Sequence, residues 1–231
     1  MARQKLKAKA LLIDLDGTIV DSTDAFTEAA KMAFSAIGHP QSSSDIGLEM
    51  ARHLQRNLSI ANFFEKTSLD EAIRGKFITA FLQSFYTIAT NKTELLPNAA
   101  KTLHKLSDSF LLALITRRRV LKQLIEKELQ RLQINSYFGA IVTALDVERP
   151  TPFPDAILKA ADKLQVSIQN CVVVSDSGVD IQAGKSAGAK TVAVLSGMFE
   201  KEELRKEKPD LIVKDINALP EYLVIETSRV Q

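Results

Sequence analysis

The chain has few of the residues that cross-link a fold or bind soft metals. It holds one cysteine, Cys171, so neither an internal disulfide nor a cysteine-rich metal site can form. Its three histidines, His39, His53 and His104, are scattered and have neither metal-ligand nor triad spacing. No stretch reaches the roughly 18 apolar residues that a membrane-crossing helix needs. The apolar run that follows the basic lead is cut by Asp14 and Asp16 too early for a signal peptide. Neither sign of charge dominates. Thirty Lys and Arg against 28 Asp and Glu leave a formal +2, too little to call for a nucleic-acid or membrane partner. A reducing, cytoplasmic setting is the expectation.

What is present is an ordinary globular balance. The 231 residues are 45% hydrophobic and 25% charged, enough to bury a full core and unlike disordered, collagenous or disulfide-framed chains. Short apolar runs recur at Ala10–Leu15, Phe110–Ile115, Ala140–Ala144, Cys171–Ser175 and Thr191–Leu195. Leu211–Val213 and Tyr222–Ile225 read as edge strands. Cys171, inside one of these runs, reads as a small core residue. Helical patterns separate the strands. Pro97 suits a first turn, with Ala100, Leu103 and Leu106 on one face. Leu121, Leu124, Ile125 and Leu132 stripe the next helix. Asp155–Gln165 and Asp180–Ala187 follow, the latter ended by Gly188. Strands alternating with helices predict an α/β fold, a Rossmann-like parallel sheet flanked by helices.

Residues 20–92 break that rhythm and hold no convincing strand. Phe26, Ala30, Ala33 and Ile37 recur at helical spacing, and Gly38 is a stop. Ser68 and Glu71 have capping-box spacing. Phe77, Phe81 and Phe85 fall at i, i+4 and i+8. Seven of the eleven phenylalanines lie here, enough for a separate small core. The expected division is an α/β core domain, 1–19 and 93–231, with an all-helical domain, 20–92, inserted after the first strand.

The chemical signal lies at strand ends. Asp14-Leu15-Asp16-Gly17-Thr18 follows the first strand, and ligands of open α/β sheets bind beyond the carboxyl ends of strands. Two carboxylates there are either a solvated turn or the mouth of a site. Ser175-Asp176-Ser177-Gly178-Val179-Asp180 ends a later strand, so Asp176 meets Asp14 and Asp16 if the strands are neighbours. Asp180 is either a further ligand or a helix-cap carboxylate. Oxygen donors without thiolates or a histidine cluster favour a hard cation, most simply Mg²⁺. Thr116, in Leu114-Ile115-Thr116-Arg117, is placed for an anion site at a helix start, or for an ordinary N-cap.

In this order, Asp14-Leu15-Asp16-Gly17-Thr18, Thr116 and Ser175-Asp176-Ser177-Gly178-Val179-Asp180 resemble the haloacid dehalogenase-like hydrolase superfamily. Ala183-Gly184-Lys185-Ser186-Ala187-Gly188 resembles its phosphoglycolate phosphatase-like branch. The helical insertion is similar to that family's cap, expected to close over Asp14 and exclude water. The resemblance implies that Asp14 is the nucleophile, forming an aspartyl-phosphate, and that Asp16 is general acid and then base. It implies that Thr116 and neighbouring backbone amides, with Arg117, Gly17 and Thr18, bind the substrate. It makes Asp14, the main-chain carbonyl of Asp16 and Asp176 the Mg²⁺ ligands, with Asp180 in support. The implied activity is Mg²⁺-dependent hydrolysis of a small phosphorylated metabolite, phosphoglycolate-like or a sugar phosphate, by a monomer or homodimer. A phosphomutase of the same fold is the alternative enzyme.

The pattern departs from the family at one position. Thr151-Pro152-Phe153-Pro154-Asp155 stands where the family has a lysine first. Arg149, two residues upstream, is the candidate replacement cation, or a solvated loop arginine. Without a replacement the chain reads as a catalytically weak phosphate-ligand or protein-binding relative. Arg117-Arg118-Arg119 reads as phosphate attraction or as a solvated helix face. Arg52 and Arg56, i and i+4, share a face in the insertion.

Overall fold

A computed structural model describes residues 5–38, 44–56, 63–64 and 70–226. The expected positions Ser68 and His39 lie outside these residues. The chain divides into two compact units, one of Met1–Val20 with Leu95–Gln231 and the other of Asp21–Glu94.

The larger unit is built on a six-stranded parallel sheet. Its strands are β2 (Ala10–Asp14), β5 (Leu111–Thr116), β6 (Ala140–Thr143), β7 (Cys171–Ser175), β8 (Lys190–Val194) and β9 (Leu211–Val213). Their spatial order is β6-β5-β2-β7-β8-β9. Every residue of β2, β6 and β7 is buried, as strands covered on both faces require. Ala10, Leu12, Ala113, Ile115 and Val173 pack with Ala156, Ile157, Ala160, Ala161 and Ala183 from the helices Asp155–Lys163 and Gly178–Ala187. Gly188 ends the second of these helices at φ 87°, a left-handed conformation that suits glycine.

Three local expectations are corrected. A short strand β1 (Leu6–Ala8) precedes β2, and β10 (Leu223–Ile225) pairs with it in parallel instead of extending the main sheet. The two crossings between the units, β3 (Val20–Asp21) and β4 (Glu94–Leu95), form a two-stranded sheet where no strand was expected. The helix Lys122–Arg131 does not bury the expected leucines. Leu121 is 65% exposed and Leu124 is also exposed, while Ile125, Glu128 and Leu129 turn inward. A fully buried glutamate in that row calls for a partner, because an unpaired buried charge is costly.

The smaller unit is helical, with Thr23–Ala36, Ser44–Gln55 and Glu71–Lys92. Asp70 caps the last of these, its side chain accepting the Ile73 amide at 2.8 Å. Phe77, Phe81 and Phe85 are buried along one face. Phe26 from the first helix stacks on Phe85 with ring centroids 4.1 Å apart, and Phe34 meets Phe77 at 4.6 Å. Phe81 is fully buried in this stack. Phe81→Ala should therefore destabilise the helical unit by about 3–5 kcal/mol, the usual cost of deleting a buried aromatic ring. Chemical denaturation followed by far-ultraviolet circular dichroism checks this.

Candidate active site

The register of three neighbouring strands assembles the site. In β2 and β5, Asp14 pairs with Ile115, so Thr116 lies one step further along. In β2 and β7, Ile13 pairs with Val174, so Asp14 and Ser175 end their strands side by side. Asp14, Thr116 and Ser175–Asp176 thus leave the carboxyl edge of the sheet together, on the central strand and its two neighbours. Gly17 turns the chain after β2 at φ 78°.

Ser175 links the acidic groups. Its Oγ lies 3.2 Å from Asp14 Oδ2 and 2.9 Å from Asp180 Oδ2, and it accepts the Ser177 amide at 3.0 Å. One hydroxyl has one proton, so it serves only one of the two carboxylates at a time. Sequence reasoning gave Ser175 no role, although a polar residue ending an apolar strand inside the acidic motif was a usable signal. Asp176 is packed between two glycines. A Cβ on Gly197 would lie 1.6 Å from Asp176 Oδ2, and one on Gly17 would lie 2.5 Å from it. No larger residue fits at either point without displacing that carboxylate.

Burial and crowding set the charges. Burial, then the charges of Asp180 and Asp176, hold the Asp14 carboxyl well above the usual carboxylate range. Burial pushes Asp176 up to about 7, against the opposing pull of Arg117. Arg117 is the cation that faces this group, its Nε 3.8 Å from Asp180 Oδ2.

The expected substrate contacts divide. Thr116 is buried and its hydroxyl accepts the Arg118 amide at 3.2 Å, so its own proton is left to donate. Thr18 is not turned to a substrate. It is fully buried, its Oγ1 accepts the Asp176 amide at 3.1 Å, and it ties the β2 and β7 loops together. Gly17 likewise gives its amide to the Val20 carbonyl at 2.9 Å and accepts Ser196 Oγ at 2.7 Å. Its role in these contacts is to shape the turn. Arg149 is turned away from the carboxylate group. Its side chain is 61% exposed, donates to both Asp155 oxygens at 3.0 and 2.8 Å, and lies over the Phe153 ring. The nearer acid attracts it more strongly than the cleft does. Thr151 is buried.

Asp16 adds its charge to those acting on Asp14 and Asp176 but is itself held by an arginine. Its two oxygens accept Arg118 Nε at 2.8 Å and Nη2 at 2.6 Å. Arg118 in turn meets the buried Glu128 through Nη1 and Nη2. Burial works against the Arg118 charge, but the two carboxylates outweigh it and shift its pKa upward. Neither Arg118 nor Glu128 was assigned this part from sequence. The signal was a charge within the row Ile125, Glu128, Leu129 and Leu132, which otherwise reads as an apolar helix face.

Among the described residues, no group of three or more His, Cys, Asp or Glu side chains is arranged to hold a metal ion. The chemistry of the donors nevertheless suits a hard dication. Asp176 Oδ2 and Asp180 Oδ1 are buried without a hydrogen-bond partner. They belong to a group whose ionised forms repel, and an ion between oxygen donors relieves both penalties.

This yields a pH prediction. The folded chain holds the Asp176 proton more tightly than the unfolded chain, about 7 against 3.8. The contribution of this proton to stability is therefore full below the unfolded value and is lost as the pH rises through 7. In chelator, the Tm should drop between pH 5 and pH 8, at roughly 2–4 °C per kcal/mol for a chain of this size. Asp176→Asn should flatten that slope, and Mg²⁺ should raise the Tm of the parent at pH 8 but not at pH 5. Thermal unfolding across pH checks all three.

Residues 11–194 match the family model of the haloacid dehalogenase-like hydrolases. The chain is 29% identical over 230 residues to the phosphoglycolate phosphatase of Escherichia coli (strain K12), covering 91% of this chain and 90% of that protein. Identity to the phosphoglycolate phosphatase of Shigella boydii serotype 4 (strain Sb227) is 28% over the same shares. A crystal structure of a hydrolase from Pseudomonas syringae shares the fold, with a TM-score of 0.70 at 22% identity over 93% of this chain and 97% of that one. With the ordered strand-end carboxylates on one sheet edge and the family match spanning most of its length, the chain belongs to the haloacid dehalogenase-like hydrolases.

Proposed function

We propose that the protein is a cytoplasmic, Mg²⁺-dependent phosphatase of a small phosphorylated metabolite, phosphoglycolate-like or a sugar phosphate. The observation that carries this reading is the position of Asp14, which ends the central strand between Thr116 on one side and Ser175–Asp176 on the other. One of its oxygens attacks phosphorus, the ester P–O bond breaks, and an aspartyl-phosphate forms. Asp16 gives its proton to the departing alkoxide. It then takes a proton from water, whose oxygen attacks phosphorus, releases inorganic phosphate and restores Asp14. Thr116 donates its hydroxyl proton to the transferring group. Asp14 and Asp176, with the main-chain carbonyl of Asp16 and support from Asp180, would hold Mg²⁺. Bound there, the ion would offset the repulsion between Asp14 and a phosphate dianion.

The cation that stands in for the family lysine, absent at Thr151, is assigned to Arg117. Its contact with Asp180 puts it beside the carboxylate group, and a guanidinium binds phosphate oxygens in a fork and stays charged at working pH. Arg149, tied to Asp155 at the surface, is the weaker candidate.

Turnover of an aryl phosphate with Mg²⁺, followed by a panel of phosphorylated metabolites, tests the reading. Asp14→Asn should abolish turnover. Arg117→Ala should lower kcat by ~10²–10³-fold, the usual cost of one preorganised stabilising group. Arg149→Ala should change it little, and Thr151→Lys should recover part of the loss in the Arg117→Ala background. A parent chain that binds phosphate but turns over nothing would make it a binding relative instead. Sugar-phosphate isomers as products would make it a mutase.

A further inference from the structure

Arg118 is the one residue of the basic run that is almost fully buried, at 4% exposure. Its guanidinium presents two forks, and each meets a carboxylate. Nε and Nη2 donate to Asp16 Oδ2 and Oδ1 at 2.8 and 2.6 Å. Nη1 donates to Glu128 Oε2, and Nη2 to Glu128 Oε1 at 3.4 Å. The backbone of Arg118 is pinned as well. Its amide donates to Thr116 Oγ1 at 3.2 Å, and its carbonyl accepts the Ala144 amide at 3.2 Å. Glu128 is fully buried on the helix Lys122–Arg131, which gives the arrangement a rigid base.

This is an expensive way to stabilise a fold. A buried ion pair recovers its desolvation cost only with good geometry, and apolar residues of similar volume often serve stability equally well or better. Its geometric consequence is more specific. A forked contact fixes the plane and direction of a carboxylate, which a single point charge does not. A guanidinium filled by two carboxylates in this way is also not arranged to receive a phosphate.

We propose that Arg118 is a positioning residue: buttressed by Glu128, it fixes the direction of the Asp16 carboxylate from which the proton transfers of the reaction run. The proposal rests on the phosphatase reading and on the acid–base role given there to Asp16. Misplacing a reacting group by about 1 Å costs on the order of 10²-fold in rate, which sets the size of the expected effect.

The test removes the ion pair without leaving a buried charge behind. Arg118→Met/Glu128→Leu should fold, with a Tm within a few degrees of the parent. Its kcat for an aryl phosphate should fall ~10–100-fold, with KM changed less than about twofold. Arg118→Lys, which keeps the charge but loses the fork, should show the same split and covers the case in which the double variant does not fold. In an Asp16→Asn background the double variant should cause no further loss, because there is then no carboxylate to direct. Parent-like kcat in a folded double variant would reduce the triad to a structural role. A raised KM with unchanged kcat would make Arg118 a substrate ligand. Additive losses with Asp16→Asn would show that it acts elsewhere, and parent-like kcat in Asp16→Asn alone would remove its target. Each of these overturns the positioning role while the phosphatase reading stands. A parent chain without turnover overturns both.

Discussion

Asp14, Asp176 and Asp180 are buried and lie in one another's electric fields. Burial and mutual repulsion raise the proton affinity of Asp14 and Asp176, and Ser175 has one proton for two neighbouring carboxylates. Much of the larger unit answers that constraint. The parallel sheet brings three strand ends side by side, so their polar groups leave one carboxyl edge together. Thr18 crosses from the β2 loop to hold the Asp176 backbone, and Gly17 and Gly197 leave room for its carboxylate. Arg117 supplies a positive field that lowers the proton affinity of both Asp14 and Asp176. Such an arrangement is unfavourable alone, and a cation among its oxygen donors would offset the repulsion.

The second carboxylate of the first motif is handled in the opposite way. Asp16, two residues along the chain from Asp14, is forked by Arg118, although its charge still acts on Asp14 and Asp176. Two acids of one short motif therefore occupy different electrostatic surroundings. That difference depends on Glu128, which comes from a helix that the motif itself does not include.

Much was legible in the sequence for simple physical reasons. Strands covered on both faces must be apolar throughout, so all six strands of the main sheet stand out as short runs bounded by polar residues. The motif residues at their ends inherit their positions from the strands. The phenylalanines of the inserted segment repeat at helical spacing, and Phe77, Phe81 and Phe85 form one buried row. Less legible were features that depend on marginal local preference. β1 is three residues long, and β3 and β4 are two each, too short for a pattern to show. The inward face of Lys122–Arg131 differs from the expected stripe because Leu121 and Leu124 point to solvent while Glu128 turns to the core beside Ile125 and Leu129.

The amino-acid order by itself determined that this is a parallel α/β chain with a helical insertion, and that aspartates and a threonine follow its strand ends. Those are local properties: periodicity, turn chemistry and the side on which a strand delivers its last residue. Tertiary structure decided which charges meet. Arg117, Arg118 and Arg149 look alike in one dimension, yet one faces the acidic group, one is buried between Asp16 and Glu128, and one pairs with Asp155 at the surface. A guanidinium sits on a long, flexible stem, and its partner is whichever carboxylate the packing of distant segments brings within reach. No spacing rule along the chain encodes that distance.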